Sequence, residues 1–354
     1  MNLPPGCRYN MRGGGSRPRK ERRVEIGVER LMVHTKRTFA IARGSSDAFE
    51  RVVLTLKEDG LVGRGEAAPT GYYEQDAASV AESLGRIRIH DPWDIEGTLK
   101  ENGFLPSAAL AALDAALHDL AAKRLNVPVH RLLGLAPPEP VSAYTLTIAD
   151  LKSTLREVEE QEGFATFKIK VGDKKDLETV EAVAEVSDAA LWVDANEAFS
   201  PEEAPEIARE LRSMNVHLIE QPIAVAEGPE ALREVTKAAA PLLVIADESA
   251  VCARDVPHLY GCVSGVNVKL AKCGGIREAL RMVHVAQAHG MLVMLGCMVE
   301  TSLGIAAAAQ ISGLADFVDL DGAMLLADDP FAGPDYEKGR IRLPAMPGLG
   351  VEPR

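Results

Sequence analysis

The spacing of apolar and polar residues divides the chain into two parts. In the first part it predicts a β-hairpin and then two helices, at residues 52–63, 76–90 and 106–125. The second helix has the Ala- and Leu-rich sequence SAALAALDAALHDLAAKRL, and Pro128 follows its end. Residues 24–140 are therefore predicted to form a small α+β domain.

After Pro140 short β-rich segments recur at intervals of about 22 to 28 residues, and most intervals hold one amphipathic helix. The eight segments are SAYTLTI near 145, FKIKV near 169, LWVDAN near 194, HLIEQP near 220, LVIADES near 247, GVNVKLAK near 269, LVMLGCMVE near 297 and FVDLDGA near 319. This alternation predicts an α/β fold, a (β/α)7β TIM-like barrel over residues 141–324. A doubly wound sheet is the alternative, and eight evenly spaced strands favour the closed barrel.

Charge is distributed unevenly along the 354 residues. The net charge is −13, but residues 1–23 hold seven Lys/Arg and one acid, about +6, so the remaining chain carries about −19. An acidic body argues against nucleic acid as a partner. The basic segment lacks the apolar stretch of a secretory signal. We expect a disordered tail or a start assigned too early, and a basic arm for nucleic acid or membrane is the alternative.

The remaining composition is typical of a cytoplasmic globular protein. No apolar run reaches the roughly 20 residues that a membrane helix needs. The five cysteines form no C-x-x-C pair, which is typical of reduced thiols in a cytoplasm. We expect a small-molecule substrate, no membrane partner and a homo-oligomer.

Almost every predicted barrel strand ends in a charged residue, at the edge where barrel enzymes hold their sites. Asp194, Glu220 and Asp247 end three successive strands within the apolar contexts WVD, LIE and IAD. Three converging carboxylates repel one another unless a cation joins them, and oxygen ligands without His or Cys select Mg²⁺. The alternative is three separate acids that cap loops. Asn196 and Glu248 follow as candidate supports of these ligands.

Three lysines complete the chemistry. Lys168 and Lys170 are two residues apart on one strand, so they share a face and are expected to lower each other's pKa. Lys269 ends a strand four positions later in the barrel. A substrate held between Lys170 and Lys269 would have a base on each side, with Lys168 in support. The alternative is solvated charges at strand ends.

The segments FKIKVG, WVDAN, IEQP, ADES and VNVKLAKCGG, together with ALDAALHDLAAKRLNVPVHRLLG, resemble the muconate lactonizing subgroup of the enolase superfamily. The resemblance covers about residues 24–345. It implies a barrel with an N-terminal capping domain, Mg²⁺ as cofactor and proton transfer through an ene-diolate; lysine or histidine bases with Mg²⁺ are a general property of the superfamily.

Within the subgroup, Asp319-Leu320-Asp321 resembles the D-x-D pair of dipeptide epimerases, which binds the free α-ammonium of the dipeptide. The alternative is that one of the two aspartates caps a loop. Thr145 matches a threonine that lines the family's site. Cys297 replaces a small polar residue of the family, and a packing role is an equal alternative there.

The resemblance also implies that the cap reads the substrate side chain through two loops, here about residues 36–47 and 66–76, with Gly65 among the glycines that give them freedom. The first segment is similar to the corresponding loop of L-Ala-D/L-Glu epimerases. Arg43 in that segment is the candidate to bind a glutamate side chain. The alternative is that Arg43 braces the cap against the barrel. The chain after about residue 325 is expected to return to the cap.

The sequence therefore predicts an epimerase of L-Xaa-L/D-Xaa dipeptides, with L-Ala-D/L-Glu as the preferred substrate. An o-succinylbenzoate synthase or N-succinylamino acid racemase of the same subgroup would share the metal ligands and lysines. Their substrates have no free ammonium, so Asp319 and Asp321 argue against them. A barrel that only binds ligands is the third hypothesis.

Overall fold

The computed structural model describes residues 24–354, and the basic segment 1–23, with its expected tail or alternative start, lies outside these residues. The described residues begin with a three-stranded antiparallel sheet in the order β1-β2-β3. Its strands are β1 (Glu25–Ile41), β2 (Gly44–Glu58) and β3 (Leu61–Ala67). The predicted hairpin is confirmed, since β2 and β3 pair with Glu58 opposite Leu61.

Residues 36–47 are not the loop that the sequence analysis expected. They form the end of the β1-β2 hairpin, which pairs as far as Ile41 and Gly44 and leaves only Ala42 and Arg43 in the turn. The strands extend this far because the hairpin continues beyond the core as a ribbon over the barrel. The second expected loop starts in β3 and passes into a 3₁₀ helix, Gly71–Tyr73.

Four helices complete the first part of the chain, and the third of them packs on the sheet. They are α1 (Ala77–Leu84), α2 (Ile95–Glu101), α3 (Ser107–Arg124) and α4 (Val129–Leu132). Helix α3 is buried on nearly every side, because its alanines let neighbouring elements approach closely. The sequence analysis predicted α1 as a longer helix and missed α2.

Gly65 has a packing role and does not supply loop freedom. It lies within β3, where an added Cβ would be 2.0 Å from the carbonyl oxygen of Ala112 on α3. Gly63 on the same face has the same constraint, with the oxygen of Ala116 at 2.3 Å. A side chain at either position would push the helix away from the sheet.

Eight parallel strands form the second part, in sequential order from the first to the last. They are β4 (Tyr144–Leu146), β5 (Thr166–Lys170), β6 (Ala190–Asp194), β7 (Val216–Glu220), β8 (Leu243–Ala246), β9 (Gly265–Lys269), β10 (Leu292–Gly296) and β11 (Phe317–Asp319). A backbone hydrogen bond of 3.0 Å from Ala143 to Val318 joins the first strand to the last. The predicted barrel is confirmed.

Helices connect the strands on the outside of the barrel. They are α5 (Leu151–Glu160), α6 (Leu177–Val186), α7 (Ala204–Ser213), α8 (Gly228–Ala239), α9 (Val256–Leu259), α10 (Leu270–Cys273), α11 (Ile276–Ala288) and α12 (Ser302–Ala309). Short 3₁₀ helices occur at Lys174–Asp176, Val225–Glu227, Ser312–Leu314 and Gly322–Leu325. None of the helices in residues 24–354 is long and apolar enough to cross a membrane.

The barrel interior changes from apolar to charged along its axis. Trp192, Leu218 and Ile245 pack together at the lower level, joined by Met294 and Ala143. Two residues further along the same three strands, and therefore on the same inward face, stand Asp194, Glu220 and Asp247. The apolar layer closes the barrel below the charged layer.

The last 30 residues contact the first part of the chain near both of their ends, and between these contacts Gly339 accepts a backbone hydrogen bond from Ser142 at the start of the barrel. They contain the short strands β12 (Phe331–Ala332), β13 (Asp335–Glu337), β14 (Arg340–Arg342) and β15 (Glu352–Pro353). Ala327 donates to the carbonyl of His34 at 2.8 Å, and Leu349 donates to the Asp119 carboxylate at 2.8 Å.

One carboxylate of the cap joins the two parts directly. Glu66 on β3 accepts hydrogen bonds from the backbone N–H groups of Thr301 and Gly304, each at 3.1 Å, and from the Thr301 hydroxyl. These donors belong to the first turn of α12, so a residue of the cap sheet satisfies the start of a barrel helix.

Candidate active site

The charged layer lies at the bottom of a cavity of about 730 Å³ between the barrel mouth and the cap. Barrel residues that line it include Lys168, Lys170, Lys269 and Asp247, and cap residues come from the hairpin end and from Pro69–Tyr73. Asp194 and Glu220 lie just beneath, fully buried. The structure thus brings together the three carboxylates and three lysines that were predicted from strand ends.

Lys170 and Lys269 stand on opposite sides of the mouth, because β5 and β9 are four strands apart in a ring of eight. The Lys170 ammonium donates to Asp194 at 2.6 Å and to the Asn196 side chain at 3.2 Å. The Lys269 ammonium donates to Asp247 at 2.7 Å. Each lysine is therefore fixed by a different carboxylate, and the space between them is the floor of the cavity.

Lys168 is the most deeply buried of the three lysines, with 1% of its side chain exposed. Its ammonium lies within 2.9 Å of Asp194, Glu220 and Asp319 carboxylate oxygens. Burial by itself would lower the pKa of Lys168, but these three carboxylates raise it well above its usual value. The prediction of a lowered pKa is therefore wrong for Lys168, because carboxylates and not the neighbouring ammonium surround it.

Burial likewise opposes the charge of Lys269, and Asp247 and Glu220 reverse that effect, so the pKa of Lys269 is also raised well above its usual value. The pKa of Asp247 is held well below its usual range: burial disfavours its charge, but Lys269 and Lys272 outweigh that penalty. Glu220 differs, since burial and the Asp194 charge raise its pKa to about 7.

The sequence analysis did not single out Lys272, which supports the site from below. Its ammonium donates to the Asp247 carboxylate and carbonyl, each at 2.7 Å, and to the Asn267 carbonyl at 2.8 Å. Asn267 in turn donates to Glu220 at 2.8 Å. The signal was present in VNVKLAK, where a second lysine follows Lys269 by three residues in an apolar context.

The carboxylates suit a hard divalent cation. In residues 24–354 no group of three His, Cys, Asp or Glu side chains has the arrangement of a metal site. Instead, lysine ammonium groups form ion pairs with the three predicted ligands. The set nevertheless consists of oxygen donors alone, the type that Mg²⁺ prefers. The Oε2 of Glu220 faces the Lys168 ammonium at 2.7 Å, so positive charge lies against this carboxylate, as it does against Asp194 and Asp247. These residues therefore fit Mg²⁺.

Asp319 and Asp321 form a second acidic group in the wall of the cavity. Asp319 uses Oδ2 to accept from Lys168 at 2.7 Å, but its buried Oδ1 has no hydrogen-bond donor in residues 24–354. Asp321 accepts from the backbone N–H of Thr145 at 2.6 Å. Burial and then the Asp319 charge raise the pKa of Asp321 to about 7. Among residues 24–354, Lys168 is the only cationic side chain that forms an ion pair with either aspartate.

Thr145 and Cys297 both line the cavity near this pair. The Thr145 backbone holds Asp321, as described above. Cys297 follows β10, and burial and the Asp321 charge raise the pKa of its thiol well above the usual value. A thiol with a raised pKa stays neutral, so Cys297 contributes shape to the wall and not charge.

Arg43 reaches from the hairpin turn to the opposite rim of the cavity. It donates to the Glu248 carboxylate at 2.6 Å, to the Asn196 carbonyl at 2.8 Å and to Glu197 at 3.1 Å. The ring of Tyr72 covers its guanidinium at 4.4 Å. Arg43 therefore braces the cap against the barrel, as the alternative proposed, while it still lines the cavity.

A relay of side chains joins Arg43 to one lysine. Glu248 accepts from Arg43 and, at 3.3 Å, from the Asn196 side chain, whose oxygen accepts from Lys170. The predicted supporting residues Asn196 and Glu248 thus lie between the cap and Lys170. The position of the hairpin turn is coupled through them to the barrel floor.

Comparison with known proteins gives matches over nearly the whole chain. Residues 25–134 match the family "Mandelate racemase / muconate lactonizing enzyme, N-terminal domain", and residues 150–354 match "Enolase C-terminal domain-like". The L-Ala-D/L-Glu epimerase of Bacteroides thetaiotaomicron is 36% identical over 89% of this chain and 84% of that protein. The hydrophobic dipeptide epimerase of Roseobacter litoralis is 37% identical over 91% of this chain and 98% of that protein.

A solved structure also resembles this fold over nearly the whole chain. The dipeptide epimerase of Enterococcus faecalis V583, crystallised with Mg and the dipeptide L-Leu-L-Tyr, superposes with a TM-score of 0.87 at 31% identity. The match covers 92% of this chain and 98% of the other. The similarity therefore extends over both the cap and the barrel.

Proposed function

The chain belongs to the enolase superfamily, with the two domains of the mandelate racemases and muconate lactonizing enzymes, and from this membership we propose that it is a dipeptide epimerase. It inverts the α-carbon of the second residue of an L-Xaa-L/D-Xaa dipeptide. The membership predicted from the strand-end motifs is confirmed. What remains to be argued is how these residues perform the reaction.

The observation that carries the dipeptide proposal is the acceptor of Asp319 that has no donor in residues 24–354. An ammonium group between Asp319 and Asp321 would satisfy it with charge-assisted hydrogen bonds. A free dipeptide has that ammonium, whereas an N-succinylated amino acid has none. With the ammonium bound there, the second residue of the dipeptide would extend over the floor, where Lys170 and Lys269 stand on opposite sides.

Inversion then follows from the placement of the two lysines. The neutral lysine on one side accepts the α-proton, and the charged lysine on the other side returns a proton to the opposite face. When bound by Asp194, Glu220 and Asp247, Mg²⁺ supplies positive charge beside the substrate carboxylate, where negative charge develops as the proton leaves. Lys168 adds a fixed positive charge beneath the same position, and cap residues cover the cavity from above.

The test is deuterium uptake. Incubation in deuterated water with a dipeptide library, followed by proton NMR, should show loss of the α-proton signal of the second residue only. The library should include N-acetylated and N-succinylated controls, which we expect to react poorly. Exchange into an N-succinylated amino acid that equals or exceeds that into dipeptides would replace this proposal with the racemase alternative.

Among dipeptides, we propose L-Ala-D/L-Glu as the preferred substrate. The first support is the guanidinium of Arg43, which lines the cavity and can bind the carboxylate of a glutamate substrate in addition to Glu248. The second is the similarity of the chain to an L-Ala-D/L-Glu epimerase. The similar hydrophobic dipeptide epimerase limits this support. The test of this preference is a comparison of kcat/KM for L-Ala-L-Glu, L-Ala-L-Leu and L-Ala-L-Lys. A higher value for the Leu or Lys dipeptide would contradict the proposed substrate and leave the epimerase proposal intact.

Compartment and assembly are also proposals. We infer a cytoplasmic enzyme, which the four free cysteines among residues 24–354 support. We infer a homo-oligomer, which light scattering after size-exclusion chromatography would measure directly. A monomer at micromolar concentration would contradict it.

A further inference from the structure

Two cap arginines line the same cavity but differ in their partners. Arg43 is held by two carboxylates and has 31% of its side chain exposed. Arg51 on β2 has only 4% of its side chain exposed, and its nearest carboxylate oxygen, on Glu66, is 3.9 Å away. Arg51 is therefore a buried cation without a close ion pair.

The hydrogen bonds of Arg51 leave one of its nitrogens for a ligand. Its Nε donates to the Val299 carbonyl and its Nη1 to the Glu50 carbonyl, each at 2.6 Å. Its Nη2 makes no hydrogen bond or ion pair to the rest of residues 24–354. The guanidinium carbon lies over the ring of Phe49, 5.3 Å from the ring centroid. A donor edge of a rigid guanidinium is thus available at the cavity wall.

Arg51 lies on the side of the cavity that holds the acidic pair. Its partner Val299 belongs to the segment Cys297–Val299, whose residues all line the cavity. That segment packs on Gly322, where an added Cβ would be 2.5 Å from the Met298 carbonyl oxygen. Since Gly322 directly follows Asp321, the segment and Arg51 flank the acidic pair.

We propose that Arg51 selects the first residue of the dipeptide. The inference rests on the proposed function, which places the ammonium at Asp319 and Asp321. From there the side chain of the first residue extends toward the segment that Arg51 holds. A guanidinium has donors only, so it favours a side chain that is small or offers an acceptor. It disfavours lysine or arginine, which would bring a second buried cation without acceptors.

The experiment compares kcat/KM for two dipeptides whose first residues have side chains of similar length. For the wild type we expect kcat/KM for L-Gln-L-Glu to exceed that for L-Lys-L-Glu by about tenfold or more. In Arg51→Met, which keeps the length but loses the charge, the ratio should fall to near one. Arg51→Lys should retain part of the discrimination, because the charge remains. Arg43→Met is the matched control and should leave this ratio within about twofold, because Arg43 reaches the opposite rim.

The outcomes separate the two proposals. No deuterium uptake into any dipeptide would overturn the proposed function. Uptake with equal turnover of the Gln and Lys dipeptides by the wild type would overturn the role of Arg51 alone, and this measurement needs no variant. An unchanged ratio in a folded Arg51→Met would also overturn it. Thermal melting identifies a variant that does not fold, in which case Arg51→Lys and the wild-type ratio decide.

Discussion

The barrel floor and the cap wall hold their charges in different ways. On the floor, lysines and carboxylates are almost fully buried and each is fixed by strand register, as Lys170 is by its position opposite Asp194. On the cap wall, Arg43 and Arg51 each also donate to a barrel residue that lies more than 150 positions away in the sequence and belongs to another domain. The difference agrees with the proposal that the floor carries the reaction and the wall carries the choice of substrate. Changes on the floor should remove turnover, and changes in the wall should redistribute it among substrates.

The largest expected effect is at the two opposed lysines. Lys170→Ala and Lys269→Ala should each lower epimerisation by about 10⁴-fold, because each removes one of two required proton carriers. Turnover of both epimers is measured by polarimetry or NMR. Lys174→Ala is the matched control, since Lys174 is an exposed lysine paired with Glu210 at 2.8 Å. If either of the first two variants turned over at a near wild-type rate, the two-base mechanism would fail.

Removal of the divalent cation should have the next largest effect. Exhaustive chelation should leave less than about 1% of activity, and Mg²⁺ should restore it, because the charge that develops on the substrate carboxylate then lacks its counter-charge. Asp194→Ala should lose activity that added Mg²⁺ does not restore. Full activity of the chelated enzyme would contradict the proposed role of the floor carboxylates as metal ligands.

The acidic pair, Asp319 and Asp321, lies in the cavity wall beside the floor. The third prediction is that substrate binding by this pair depends on pH. Burial and the Asp319 charge raise the pKa of Asp321 to about 7, so its carboxyl group becomes protonated as the pH falls through that value. The KM for a free dipeptide should therefore rise below about pH 7. Asp321→Asn should raise KM by about tenfold to a hundredfold at pH 8 and flatten that limb of the profile. A wild-type KM that stays constant from pH 5.5 to 8.5 would contradict this assignment.

The smallest effect is expected at the hairpin turn. Arg43→Ala should lower kcat/KM for L-Ala-L-Glu by about tenfold, while L-Ala-L-Leu changes little, since only the glutamate side chain needs the cation. Arg37→Ala is the matched control, because Arg37 also braces the cap, through Glu157 at 2.8 Å and Glu160, but lies outside this cavity. Equal losses of kcat/KM for the Glu and Leu dipeptides would mean that Arg43 only holds the cap against the barrel and does not bind the glutamate side chain.

The floor could be predicted from the sequence because a strand has a fixed period. In WVD, LIE and IAD the polar residue stands at the carboxyl end of an apolar strand, and parallel strands bring those ends to one edge. Lys272 escaped notice because it follows its strand in a short helix, where period two no longer applies. The direction of the Lys168 pKa shift was wrong because it depends on three carboxylates from three other strands.

The cap could be predicted only in outline. The hairpin and α3 follow from local pattern, but the extent of β1 depends on pairing that continues over the barrel. Gly65 was interpreted as a loop residue because nothing in the local sequence shows that Ala112 approaches it. The partners of Arg43 and the burial of Arg51 are set by residues of the barrel, so no local pattern could reveal them.

The contact of Glu66 with the start of α12 has a consequence for engineering. Caps from relatives are attractive modules to transplant, since they promise new substrates on an unchanged catalytic scaffold. Here a donor cap that lacks an acid at position 66 would leave the backbone N–H groups of Thr301 and Gly304, at the start of α12, without their acceptor. A successful chimera would have to carry this acid along, or exchange the first turn of the helix together with the cap.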